Sequence, residues 1–310
     1  MPCLKTRINP KLHTMKSNIS RRKMIQDSAK LAIGSTVFMN TPFSLSGGNQ
    51  QKQSRVVLAR DEALLDGAGK IDQAVLSRLL DDAVVRLTQA PSAAEAWRNI
   101  ILPDDVVGIK SNHWNTLRTP PELENMLKTR VLETGVKESD VSVNDRGVLN
   151  DPVFKRSTAL INVRPSRAHA WSGVGSMIKN YIMFLPQPSS IHGDSCADLA
   201  QIWSLPEVKN KTRLNILVMI TPLFHVVGTT FNKEYTWAYK GLVVGTDPVA
   251  VDAVGLQIIQ SRRKEYFQED KPLNPPAKHI GLADTRHHLG TADLSKIELV
   301  KLGWSASMLI

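Results

Sequence analysis

At 310 residues, 42% of them hydrophobic and 22% charged, the chain can bury a large core, which excludes disorder throughout and allows one large domain or two small ones. Its formal charge of +10 is unevenly placed: residues 1–45 hold eight bases (Lys5, Arg7, Lys11, Lys16, Arg21, Arg22, Lys23, Lys30) against one acid, Asp27. Beyond them 31 bases face 28 acids, a net charge of +3, and no nucleic-acid partner is expected from so balanced a body.

The first element is a leader. Ser20-Arg21-Arg22-Lys23-Met24-Ile25-Gln26 precedes an apolar stretch, Leu31–Met39, which is the layout of an export signal. The Arg21-Arg22 pair resembles the twin-arginine motif, which implies the twin-arginine translocase as a partner and a periplasmic or other extracytoplasmic destination. The apolar stretch falls well short of the ~20 residues that cross a bilayer, so no permanent membrane span is expected. Residues 1–45 are read as the leader, 46–54 as a Gly- and Gln-containing linker, and 55–310 as a single domain.

Within 55–310, short β-rich runs alternate with longer helical ones. Arg55–Ala59 reads as a strand, and Ile71–Leu87 places apolar residues at Ile71, Val75, Leu79, Leu80, Ala83, Val84 and Leu87, which is helical spacing. A helix over Ala93–Leu102 stops at Pro103, Asp105–Lys110 is the next strand, and Pro120-Pro121 opens a helix through Leu132. Val141–Val143 is a short strand. Ala159–Val163 and Leu214–Ile220 are uninterrupted or nearly uninterrupted apolar runs, suited to the centre of a sheet covered on both faces. Leu242–Gly245 leads into a helix over Pro248–Gln260, and Ile297–Leu302 reads as an edge strand. The expected fold class is α/β, with a largely parallel sheet and helices on both faces.

In such sheets ligands sit beyond the carboxyl ends of the strands, and several of those ends are polar: Lys110–Asn115, Asn144–Gly147, Asn162–His169, Thr221-Pro222 with His225, and Gly245–Pro248 followed by Asp252. Lys110, Arg164, Arg167 and Lys179 offer positive charge. Asn112, Asn162 and Asn180 offer amides, and Asp247 and Asp252 offer orientation. Asp247 also reads as a helix N-cap before Pro248, and Asp252, set among apolar neighbours, needs a partner such as Lys110 or Lys179 if buried. His169, His192 and Lys179 are the candidate catalytic groups. The two histidines with Asp194 form a possible metal set, and whether a metal binds is left open. Gly173–Asn180 places two glycines ahead of a helix, where backbone N–H groups can meet an anion beside Lys179. The cofactor is unknown. Cys196, the lone cysteine outside the leader, cannot supply the roughly four thiolates of an iron–sulfur cluster and reads as a small buried hydrophobe.

Together these segments resemble the family called domain of unknown function 362. The likeness is carried by Val107–Asn112, Leu160–Val163 with His169, Gly173–Asn180, His192 and above all Gly245-Thr246-Asp247-Pro248-Val249-Ala250-Val251-Asp252-Ala253. His279–Ala283 and Leu289-Gly290 resemble the family's tail. Many members carry twin-arginine leaders, which agrees with Arg21 and Arg22. Some add a ferredoxin-like cluster segment, whose cysteines this chain lacks. The resemblance implies a fold and a candidate site without a reaction. The expectation is an exported protein that binds a small anionic ligand or a metal at the strand ends; the alternative is a non-catalytic accessory protein of an extracytoplasmic redox system.

Overall fold

Strand β1 (Ser54–Arg60) begins inside the span read as linker, so the last linker residue belongs to the sheet. The computed structural model describes residues 53–114 and 117–310; the leader with Arg21 and Arg22 lies outside them, as do residues 46–52 and Asn115. Helices α1 (Gln73–Thr88) and α2 (Ala93–Ile100) follow, then β2 (Val107–Lys110), α3 (Pro121–Glu133) and β3 (Val141–Asn144). Next come β4 (Ala159–His169), β5 (Gly173–Gly175), the single turn α4 (Met177–Asn180) and β6 (Thr212–Leu223). The chain ends with β7 (Gly241–Gly245), α5 (Pro248–Phe267), α6 (Lys278–Thr285) and β8 (Ile297–Gly303). Local chemistry starts the long helices. Asp72 accepts hydrogen bonds from the Ala74 and Val75 N–H groups, Ser92 from Glu95 N–H, and Asp247 from Val249 and Ala250 N–H, with Pro248 at the first helical position.

The described residues form one compact unit around a single sheet, ordered β3-β2-β4-β6-β7-β1-β8, with β5 paired to β4. The fold is α/β. β4 and β6 occupy its middle and β8 its edge. Both central strands run past the apolar stretches that mark them, because the polar residues that follow stay paired in the ladder. Six strands share one direction; β5 and β7 oppose it. The reversal of β7 departs from a simple parallel array and carries its carboxyl end to the far side of the sheet.

The apolar strands divide their side chains between two cores with the period of two that a pleated strand imposes. Val56, Leu58, Leu160, Leu217, Met219 and Val243 face α5 and the α4 region. Val57, Ala59, Ile161, Ile216, Val218, Leu242 and Val244 face α1, α2 and α3. The same alternation sends Lys110, Asn162 and Asn215 to the α5 face, between apolar neighbours that face the other way. Register then aligns them: Lys110 pairs with Asn162 and Asn162 with Asn215, making a polar row across three adjacent strands.

Candidate functional site

The polar row is satisfied by itself and by α4. The Asn162 amide donates to Asn215 Oδ1 at 3.0 Å and to the Met177 carbonyl at 3.1 Å, and Asn215 donates on to the Thr246 carbonyl at 3.1 Å. Asn180 sends its amide to Asn162 Oδ1 at 2.8 Å, to the Lys110 carbonyl at 3.1 Å and to the Val163 carbonyl at 3.2 Å. Lys110, wholly buried, is held 2.6 Å from Asp145 Oδ1 and 2.6 Å from the Ser111 carbonyl. Burial pulls its pKa down to about 8 against the pull of Asp145. Burial also works against the charge of Asp145, yet Lys110 and the His113 N–H hold that carboxyl below its usual range. Lys110, Asn162 and Asn215 therefore form a floor, and Asn180 and Asp145 connect it to the cavity above.

A register shift between Pro165 and Arg167 breaks the β4–β6 ladder, at a residue that has no N–H to give it. Beyond it β4 turns into a hairpin with β5, pairing Arg167 with Gly175 and His169 with Gly173. This hairpin, α4 and the segment leading to His192 enclose a cavity of about 140 Å³. Arg164, Arg167, Lys179, His169 and His192 line it, with Asn112, Asn180, Asp145 and Trp114. Arg164 and Arg167 are 2% and 6% exposed and Lys179 3%. Among the described residues none of the three makes a carboxylate ion pair. Arg164 reaches the Ser176 carbonyl at only 3.5 Å and leaves Nε without a partner. Arg167 lies 3.8 Å over the Trp114 ring with its own Nε unpartnered, and Lys179 Nζ touches Cys196 Sγ at 3.4 Å.

Burial is the main force on all three cations. It lowers Lys179 to about 8 and Arg164 to about 10, the latter partly offset by Asp145 and Asp252, and it pushes Arg167 well down. A guanidinium keeps its proton in proteins, so the arginines hold buried charge with no carboxylate in direct contact, which Asp145 offsets only from a distance. His169, half-buried beside Arg167, Lys179 and Arg164, is driven far below the ordinary imidazole range, chiefly by desolvation. Its Nδ1 accepts a hydrogen bond from the Trp171 N–H at 3.2 Å, so the neutral ring carries its proton on Nε2. His192 is lowered by burial and by Lys179. A cavity walled by three cations that lack direct carboxylate partners, one carboxylate already shared with Lys110, and neutral imidazole is suited to an anion.

Four sequence-based expectations change here. The helix turn at α4 is already capped: the Met177 and Ile178 N–H groups donate to the Asp252 carboxylate at 2.7 and 3.0 Å. No external anion is needed there, and Asp252 finds its partners in backbone amides instead of Lys110 or Lys179. Burial still raises Asp252 to about 7, against those N–H bonds. The glycines of β5 answer to geometry. Gly173 has φ +72°, and a Cβ on Gly175 would come within 2.5 Å of Arg164 Nη2. Asp247, expected among the ligand-binding groups, sits at the opposite end of the sheet because β7 is reversed, and it binds Ser54 Oγ at 2.7 Å at the start of β1. The possible metal set is also incomplete: His169 and His192 line one cavity, on either side of Trp171, but Asp194 pairs with Lys278. Among the described residues no three His, Cys, Asp or Glu side chains gather to hold a metal.

The family model described as Domain of unknown function (DUF362) matches residues 107–257. The match covers just under half of the chain. No curated protein and no solved structure matches it. The DUF362 span starts at β2 and ends within α5, so it contains every residue named on the cavity wall. The tail-like segment from His279 to Gly290 and the strands β1 and β8 fall outside it. Asp145 and Trp114 join the cavity without having been singled out as site residues. Their position directly after β3 and β2 is the signal that could have marked them.

Proposed function

We propose that the DUF362 domain binds a small anionic molecule in the cavity between the β4–β5 hairpin and α4, with Arg164, Arg167 and Lys179 as counter-charges and His169 Nε2–H as a neutral donor. The observation that carries this reading is the convergence of three nearly buried cations that make no ion pair with a carboxylate. A bound anion relieves the cost of that arrangement, so affinity comes from charge already desolvated. Asn112 and Asn180 add amide groups, and Asn112 Oδ1 has no partner of its own. The test is thermal stabilisation of the purified protein by inorganic phosphate, sulfate and small dicarboxylates. Lys179→Met is expected to weaken binding by about ten-fold or more, the scale of one charge-assisted contact. Gly175→Ala, which displaces the Arg164 guanidinium, should do the same. Affinity should also fall as pH rises through about 8, where Lys179 loses its proton. Parent-like binding by both variants would refute the assignment.

We also propose export by the twin-arginine route, supported by Ser20–Gln26 and by the basic charge gathered in residues 1–45. With Arg21 and Arg22 both replaced by lysine, fractionated cells should retain the protein in the cytoplasm; undiminished export rejects the route.

A further inference from the structure

A second chamber, of about 100 Å³, adjoins the cationic one and shares Trp114, Arg167 and His169 with it. Its character is different. The rest of its wall includes Trp171, Ala168 and Val226, and it carries no further charged group. Trp171 is 52% exposed, and Val227, next to Val226, is 66% exposed. These are two of the five large hydrophobic residues left exposed among the described residues, and they lie at or beside this one mouth. Isolated exposed apolar residues need no explanation, but an apolar rim beside a polar cavity marks a binding groove.

We infer that the ligand of the site is an organic phosphate monoester with an aromatic or similarly flat apolar tail, lying across both chambers. This rests on the anion-binding reading above. The phosphoryl group belongs in the larger chamber, where its terminal oxygens can be shared among Arg164, Arg167 and Lys179. The tail belongs against Trp171 and Val226. A bare inorganic anion leaves the aromatic rim in water, and an uncharged apolar molecule leaves the buried cations unpaired. Only a two-part ligand meets both demands. Size is consistent with one ring: benzene fills an apolar cavity of about 150 Å³, so a chamber of about 100 Å³ with a half-exposed tryptophan on its rim holds a single ring with one edge in solvent. Arg167 sits at the junction. Its guanidinium, stacked on Trp114, belongs to both chambers and fixes the point where head meets tail.

The test is calorimetric titration of the full chain with phenyl phosphate and with methyl phosphate, which carry the same head group. The parent should bind phenyl phosphate about ten-fold tighter, the scale of one aromatic contact plus its buried area. Trp171→Ala should bring the two affinities together, with a circular dichroism spectrum and urea midpoint like the parent's showing that the variant is folded. Equal binding of the two esters by the parent overturns the two-chamber ligand while sparing the anion site. A phenyl preference that survives in Trp171→Ala overturns the placement of the tail. Binding of neither ester overturns the anion site and this inference together.

Discussion

His279 is the most isolated polar side chain in the described fold. It is fully buried on α6, and neither ring nitrogen has a hydrogen-bond partner. Burial, reinforced by Lys179 and Arg164, lowers its pKa from 6.5 to about 3. The folded protein therefore refuses a proton that the unfolded chain accepts. Stability tied to His279 is fully present above pH 6.5 and is lost as pH falls toward about 3. Between pH 6.5 and pH 5 that loss amounts to about 2 kcal/mol. His279→Phe should remove this share of the acid sensitivity, read as the difference in urea midpoint between pH 7 and pH 5. His169 acts in the same direction and remains in the variant, so a residual slope is expected. An unchanged slope in His279→Phe contradicts the burial of a neutral ring.

Among elements, the reversed strand β7 has the largest consequence. It delivers Asp247 to a junction where one carboxylate caps α5 through Val249 and Ala250 N–H, accepts from Ser54 Oγ on β1 and accepts from the Thr291 N–H ahead of β8. Gly290 packs so closely on this carboxylate that a Cβ there has no room. Asp247→Ala should cost about 2–3 kcal/mol, roughly one for the cap and one for each further bond. Phosphate binding should be unaffected, because the cavity lies at the other end of the sheet. Chemical denaturation and calorimetry on the same preparation check both halves, and lost binding in a folded Asp247→Ala variant would contradict the placement. The α4 turn shows the complementary case. Its sequence, two glycines and a lysine ahead of a short helix, has the form of an anion loop, yet Asp252 from α5 occupies its N–H groups. Nothing within residues 173–180 records that occupant, which comes from 75 residues away.

At the scale of the molecule, both cores share one sheet. β1, β4, β6 and β7 each send alternate side chains to the two layers, so neither layer keeps its partner if the sheet is lost. Trp97 reports one layer and Trp203 the other, both nearly buried. Tryptophan fluorescence and far-UV circular dichroism should therefore follow a single coincident denaturation curve. Separate midpoints for single-tryptophan variants retaining Trp97 or Trp203 would show that the layers unfold independently.

By itself the sequence determined the α/β class, the central runs beginning at Ala159 and near Leu214, the edge at Ile297 and the cap at Asp247, since periodicity and capping act within a few residues. It also brought forward Arg164, Lys179 and His169, which follow apolar runs as charged or polar breaks. The reversal of β5 and β7 within a largely parallel sheet was beyond it, because alternation reads the same in either sense. So were register and long-range occupancy. The tertiary structure alone decided that Lys110, Asn162 and Asn215 align as a floor, that Asp252 and not a ligand meets the α4 amides, and that Asp247 serves the far end of the sheet. Each of those outcomes depends on contacts between residues dozens of positions apart, where the path of the chain, and not its local pattern, sets which groups meet.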